Sequence, residues 1–274
     1  MDRSYDIGDL KRLMERLRDP QFGCPWDLKQ TYQSIAPFTL EECLELIDAL
    51  EQSDYEHVEE ELGDLLFQVI FYSQLGKEDG RFDFDSVVSG ITAKLLRRHP
   101  HVFKDGELEG VIEDRTSMEV IKANWEKTKA QERADRSQTS VMDDVPATLG
   151  ALSRAQKLQK RAATVGFDFI GAREVSARLL GEYRELEEAM ESGDQNEIEN
   201  ELGDVLFTVV NIARHLKVDS EAALRKANRR FEDRIRFAEC DAVAEGTSLV
   251  EESAERLEER WQKAKLKEKN KHGL

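Results

Sequence analysis

An all-α fold built as two tandem helical domains is the architecture this sequence predicts, and three observations predict it. Charged residues make up 35% of the 274 residues while Gly and Pro are sparse, at 16 and 5, and the long stretches rich in Glu, Leu, Ala, Lys and Arg have the composition of helices. Apolar side chains recur at intervals of three and four, the period of an amphipathic helix. Finally, Glu61-Leu62-Gly63-Asp64-Leu65-Leu66-Phe67 returns as Glu201-Leu202-Gly203-Asp204-Val205-Leu206-Phe207 with Leu65 against Val205 as its one change, which marks a duplication. A chain of this length holds either one large core or two modest ones, and the repeat selects two.

Taken in order, the pattern predicts a first helix over 7–17 and a loop through Pro20, Gly23 and Pro25. A second helix is expected to begin after Pro37, with Thr39 as N-cap and Glu42 three residues on as its capping-box partner. The next runs over about 54–75, with Val58, Leu62, Leu65, Leu66, Val69 and Ile70 as its apolar stripe and Gly76 as its stop. Asp85 and Ser86 open another, which carries Ile91, Lys94, Leu95 and Arg98 and ends before Pro100. A loop over 101–114 and a helix over 118–131 complete a first domain of residues 1–132. The polar, aperiodic stretch 133–145 reads as a linker, and 146–274 as the second domain.

A net charge of −17 disfavours nucleic acid and membrane surfaces as partners, and it costs little if some of the carboxylates hold metal ions. Cys24, Cys43 and Cys240 are an odd number at unrelated spacings, so neither a disulfide framework nor a zinc site is indicated, and a reducing compartment is expected. The opening Met1-Asp2-Arg3-Ser4 lacks the apolar core of a signal peptide. No run approaches the roughly 18 apolar residues of a membrane span. The expected location is the cytoplasm.

Each copy of the repeat lies between two further charged pairs. Upstream stand Glu42 and Glu45 in the first half, and Glu185 and Glu188 in the second. Downstream stand Lys94 and Arg98, then Arg230 and Arg234. Residues three apart on a helix share a face, so Glu61 with Asp64 and Glu201 with Asp204 each point two carboxylates at one place, and two such helices packed antiparallel gather four. Such a cluster repels itself unless cations neutralise it, and hard oxygen ligands suit Mg²⁺, with Mn²⁺ as a substitute. A metal of that kind can bridge phosphate oxygens and activate water, while the basic pair offsets charge on the displaced phosphates. Any single acidic pair in a chain with 57 acidic residues reads first as ordinary surface. Duplication of the whole pattern argues otherwise, as does the interleaving of Glu61 and Asp64 with Leu62 and Leu65. Gly63 and Gly203 point the same way, since glycine inside a helix costs about 1 kcal/mol and suggests close approach of a backbone or ligand.

At these residues the sequence resembles the MazG nucleotide pyrophosphohydrolases, whose signature is EExxE on one helix and ExxD on the next. The match is Glu41-Glu42-Cys43-Leu44-Glu45 with Glu61-Leu62-Gly63-Asp64, and Arg184-Glu185-Leu186-Glu187-Glu188 with Glu201-Leu202-Gly203-Asp204, where Arg184 replaces the leading Glu. Cys24-Pro25-Trp26-Asp27, Arg97-Arg98-His99-Pro100-His101-Val102-Phe103 and Ala155-Gln156-Lys157-Leu158-Gln159-Lys160-Arg161 also look like the tandem members of this family. The resemblance implies an all-α fold whose four-helix-bundle-like cores form in an intertwined homodimer. It further implies Mg²⁺, nucleoside triphosphate substrates including ATP, and hydrolysis of the α-β phosphoanhydride to nucleoside monophosphate and pyrophosphate, a role in cleaning or controlling the nucleotide pool. In tandem members the second domain carries the main activity. Glu185, Glu188, Glu201 and Asp204 are then the expected catalytic metal ligands, and Arg184, Glu185, Arg230, Arg234 and Trp261 the nucleotide contacts. Trp261 fits either a base-stacking platform or a core position. In the first domain Glu42, Glu45, Glu61 and Asp64 correspond as metal ligands, and Lys94 and Arg98 as nucleotide contacts.

Other readings fit less well. A di-iron carboxylate bundle needs Glu-x-x-His pairs, and none of the five histidines has a Glu three residues before it. A non-enzymatic acidic module that binds a protein partner bivalently would need no carboxylates beside a core; a regulatory partner alongside catalysis remains compatible. His99 and His101 flank Pro100 at a helix end, where capping is the ordinary role. Lys157, Lys160 and Arg161 suit either phosphate contact or surface salt bridges.

Overall fold

The computed structural model describes residues 4–110, 117–121, 124–125, 128, 132 and 140–271. Among these no strand occurs. The chain divides into two compact units, 1–130 and 131–274. In the first, α1 (Ile7–Leu17) coincides with its predicted span and starts from a capping box in which Asp6 and Asp9 accept each other's backbone N–H. The other helices of the unit are α2 (Tyr32–Gln52), α3 (Tyr55–Glu78) and α4 (Phe84–Arg98).

α2 starts well before Pro37. Thr31 is its N-cap, paired with Ser34, and Pro37 lies inside the helix. The carbonyl that Pro37 cannot bond is that of Gln33, an exposed residue, so the break expected there does not occur. Thr39 donates to the Ile35 carbonyl and lies 3.1 Å from the Tyr72 hydroxyl. It caps nothing, which leaves Glu42 without a capping role. Gly76 does not stop α3 either. A Cβ there would stand 2.6 Å from the Phe82 ring, so glycine serves the close return of the chain, which turns at Gly80 with φ +66°.

α2 and α3 are joined by Ser53, left-handed at φ 60°, and Asp54, whose carboxylate accepts the His57 N–H. So short a connection folds the two helices into a hairpin. The apolar core lies where the beginning of α2 meets the end of α3 and α1: Met14, Ile35, Ile70, Phe71 and Leu75 are buried there, with Leu10, Tyr32, Phe67 and Phe84 around them. Arg18 ties the end of α1 to Glu78 at 2.6 Å and to the Asp27 carbonyl.

The second unit contains α5 (Ala151–Ala163), α6 (Ala172–Ser192), α7 (Gln195–His215), α8 (Ser220–Ala244) and α9 (Ala254–Lys271). Gly193, at φ 72°, and Asp194 join α6 to α7 as Ser53 and Asp54 join α2 to α3. Gln159 of α5 donates to the Phe207 carbonyl of α7, and Gln156 accepts the Ser220 N–H and hydroxyl at the start of α8. α9 is fastened to α8 by charge: Arg260, 1% exposed, donates to Asp241, Glu245 and Glu252.

Both hairpins expose the same apolar positions, Leu40, Leu62, Leu66 and Val69 in the first and Leu180, Leu202, Leu206 and Val209 in the second. The stripe predicted for α3 is therefore only partly covered: Ile70 is buried and Val58 and Leu65 half-buried, while the other three face outward. Of the helix expected over 118–131, residues 118–121, 124–125 and 128 are helical and the rest lie outside the described residues, as do residues 133–139 of the expected linker.

Candidate metal and nucleotide site

In the first hairpin the middle of α2 faces the first half of α3. Glu42, Glu45 and Glu61 each offer an oxygen there, all within 4.8 Å of one another. Asp64 completes the group electrostatically. Burial first, and then the charges of Asp64, Glu45 and Glu61, push the Glu42 carboxyl above its ordinary pKa. Glu61 is 6% exposed. His57, one turn earlier, reaches its Oε1 at 2.6 Å, but its buried Oε2 has no hydrogen-bond partner.

The second hairpin repeats the arrangement with Glu182, Glu201 and Asp204, again within 4.8 Å. Burial, then Glu185, Asp204 and Glu182, raise the Glu201 carboxyl, so Glu185 is the fourth member. Glu182 is buried and accepts from Arg178 at 2.7 Å, and the same guanidinium lies 3.8 Å from Glu185. The oxygen left without a partner is once more Oε2 of the repeated ExxD glutamate, here Glu201.

Glu188, expected in this group from its position in the acidic motif, is not among these carboxylates. It stands six residues after Glu182, which turns it about 240° around α6. Glu42 and Glu45 precede Glu61 by 19 and 16 residues, and the residues at those intervals before Glu201 are Glu182 and Glu185. Reading the motif from its acidic run placed it one turn late. The constant distance to ExxD is the signal that finds Glu182. Arg184, one residue before Glu185, is exposed on α6 and occupies the place of Leu44.

The basic residues sit on α4 and α8. Lys94 and Arg98 are half-buried, Arg230 is exposed and Arg234 half-buried. Arg234 lies 5.0 Å over the Trp261 ring and pairs with Glu268 at 2.8 Å. Phe231 tilts against the same indole at 5.5 Å. Trp261 also walls an open groove of about 510 Å³, with Ile235, Ala238, Leu249 and Leu257. It is half-buried, so it is neither a core residue nor a free surface one. In the first unit Arg98 lies 5.2 Å over Trp125, a tryptophan that the sequence pattern did not single out. His99 caps α4 through Nδ1 and the Leu95 carbonyl, 2.7 Å apart, and stands with His101 beside Trp125. No backbone approaches Gly63 or Gly203, where a Cβ would meet nothing within 4 Å.

Two carboxylate clusters, each with a buried oxygen lacking a partner, fit a divalent cation. The donor set is all hard oxygen, and a bound cation relieves the repulsion among four carboxylates.

Comparison with known proteins agrees with this chemistry. The family profile described as the MazG nucleotide pyrophosphohydrolase domain matches residues 30–103 and 171–236. The chain is 47% identical over 267 residues to the nucleoside triphosphate pyrophosphohydrolase of Escherichia coli (strain K12), covering 96% of this chain and 98% of that protein. It is 40% identical over 257 residues to the nucleoside triphosphate pyrophosphohydrolase/pyrophosphatase MazG of Thermotoga maritima, covering 94% of each. It is also 40% identical to the uncharacterized protein YabN of Bacillus subtilis, over 97% of this chain and 53% of that one. Two matched segments, one on each carboxylate hairpin, and full-length relatives place this chain in the MazG nucleotide pyrophosphohydrolase family.

Proposed function

We propose that this chain is a Mg²⁺-dependent nucleoside triphosphate pyrophosphohydrolase that cuts the α-β phosphoanhydride of substrates such as ATP and releases nucleoside monophosphate and pyrophosphate. The observation that carries the reading is the recurrence, in both halves, of gathered carboxylates with one buried, unpartnered oxygen on the ExxD glutamate. The choice of bond follows the family and the names of its full-length relatives.

Glu182, Glu185, Glu201 and Asp204 would hold the cation in the second half, which we take as the main catalytic domain. Bound there, Mg²⁺ or Mn²⁺ supplies Lewis-acid neutralisation of the phosphate oxygens and activation of water. Arg178 keeps Glu182 and Glu185 oriented toward the group. Arg230 and Arg234 offset the charge that develops as pyrophosphate leaves, and Trp261 with its apolar groove offers a face to any base, which suits broad base tolerance.

Two domains, 1–132 and 146–274, joined by 133–145, each present half of a bundle. The matched exposed positions Leu62, Leu66, Leu202 and Leu206 support a homodimer in which a second copy covers them. No described helix is long and apolar enough to cross a membrane, and three free cysteines suit a cytoplasmic setting. A part in cleaning or controlling the nucleotide pool is the corresponding biological role.

Phosphorus NMR of the products from ATP and Mg²⁺ tests the reaction. Monophosphate with pyrophosphate is expected. Diphosphate with inorganic phosphate, or no metal-dependent turnover of any nucleoside triphosphate, would overturn it.

A further inference from the structure

The basic motif on α5, Lys157, Lys160 and Arg161, takes no part in the site above, and Arg154 stands one turn before Lys157. None of these four meets a carboxylate among the described residues, whereas Arg178, Arg214, Arg234, Arg236, Arg256 and Arg260 of the same unit all do. The motif is therefore not a salt-bridged surface. In a chain of net charge −17, unpaired cations gathered on one helix attract a partner's negative charge. The buried Nε of Arg154 has no hydrogen-bond partner either.

These cations border an apolar groove. Leu158 stands four residues after Arg154 and three before Arg161, so the three share one face of α5. Leu158 and Ala162, with Phe167, Phe169 and Phe207, wall a groove of about 550 Å³. Two of the side chains that border it, Asp168 and Glu174, are already engaged: Asp168 accepts from Arg214 at 3.1 Å, and Glu174 accepts the Ile170 N–H. One polar atom in the wall is not engaged. Gln159, 6% exposed, donates Nε2 to the Phe207 carbonyl, and its Oε1 is buried without a partner. Apolar walls, cations along one edge and an unanswered acceptor inside suit a ligand with an apolar body, negative charge and a hydrogen-bond donor. A small polyphosphate would meet the cations but leave the groove empty. It would also leave Phe167 and Ile170 beside it 82% and 98% exposed. Arginine and large aromatic side chains on one surface are the composition of a protein interface.

We propose that this face of the second unit docks an acidic peptide segment of a partner protein. A tryptophan of the segment fills the groove and donates its indole N–H to Gln159 Oε1, while flanking carboxylates meet Arg154, Lys157 and Arg161. The groove is distinct from the hairpin positions Leu180, Leu202, Leu206 and Val209, none of which lines it.

Fluorescence anisotropy of a labelled acidic peptide with one central tryptophan, titrated with the full-length chain, tests the docking. Saturable binding is expected, about thirtyfold weaker when alanine replaces the tryptophan. It should be about tenfold weaker for a chain carrying Lys157→Glu and Arg161→Glu. Phenylalanine in place of the tryptophan keeps the apolar body and loses the donor. That change should cost about fivefold against the unsubstituted chain and nothing against Gln159→Leu. The peptide series on the unsubstituted chain decides the matter even where a variant fails to fold. Absence of binding, or equal binding of the tryptophan and alanine peptides, would overturn the proposal. So would displacement of the labelled peptide by inorganic tripolyphosphate at a lower concentration than the unlabelled peptide needs, which would give the face to phosphate.

Discussion

In the first half the deeply buried carboxylate is Glu61 of α3, with His57 one turn before it; in the second it is Glu182 of α6, with Arg178 one turn before it. The nearest basic side chain has thus moved from one helix of the hairpin to the other. What has not moved is the quartet and the unpartnered Oε2 of Glu61 and Glu201. A salt-bridge network kept for stability would keep its partners, whereas here the partners differ and the space among the oxygens is retained. The scaffolds differ as well. The first unit rests on an apolar cluster around Phe71, while α9 of the second is held by the Arg260 carboxylate group.

The largest effect should come from the second quartet. Glu201→Gln removes a ligand from the proposed catalytic cation, and because such a cation supplies several kcal/mol of transition-state stabilisation, kcat/KM for ATP should fall by about 10³-fold in a pyrophosphate-release assay. Retention of full activity would mean that Glu201 holds no catalytic cation.

The scaffold contrast is tested next by Phe71→Ala. Emptying a site 1% exposed in the first core should cost about 3–5 kcal/mol in denaturant unfolding. The loss should appear in the transition reported by Trp125 and not in that reported by Trp261. Equal loss in both would mean that the two units unfold together.

A smaller change is expected on Trp261→Ala, which removes the stacking face. KM for ATP should rise about tenfold while kcat stays within about twofold. A fall in kcat alone would assign Trp261 to structure and not to the base.

Acid should loosen the second unit through α9. Lys263 and Arg260 hold the Asp241 carboxyl below its ordinary pKa, and Arg260 does the same for Glu252. Depressed folded-state values contribute stability that is complete above the ordinary values of 3.8 and 4.5 and is lost as pH falls below them. Helical circular dichroism at fixed temperature should therefore show a steeper loss of helix with falling pH than in an Arg260→Leu chain, which has already lost the contact and starts from a less stable α9. Parallel acid curves for the two chains would contradict this account of α9.

Much of this was legible in the sequence. The helical class, the duplicated heptapeptide and the span of α1 followed from composition, repetition and periodicity. The start of α2 did not, because Pro37 reads as a breaker and only the solvent exposure around Gln33 explains its tolerance. Three of the second half's four carboxylates were legible. Glu182 was obscured because Glu185, Glu187 and Glu188 form a denser acidic run, and density says nothing about which face a side chain takes. Trp125 was hidden for a different reason: its pairing with Arg98 is a contact between distant segments, which appears only once the 27-residue interval from Arg234 to Trp261 is known to matter.

Those carboxylates offer the most direct test of the account. Pyrophosphate release from ATP should be measured with Mg²⁺ across a concentration series for Glu182→Gln and Glu188→Gln. The expected result is that Glu182→Gln loses about 10³-fold in kcat/KM and needs far more Mg²⁺, while Glu188→Gln stays within about twofold of the unsubstituted protein. Loss of activity in Glu188→Gln with Glu182→Gln intact would contradict the site as built.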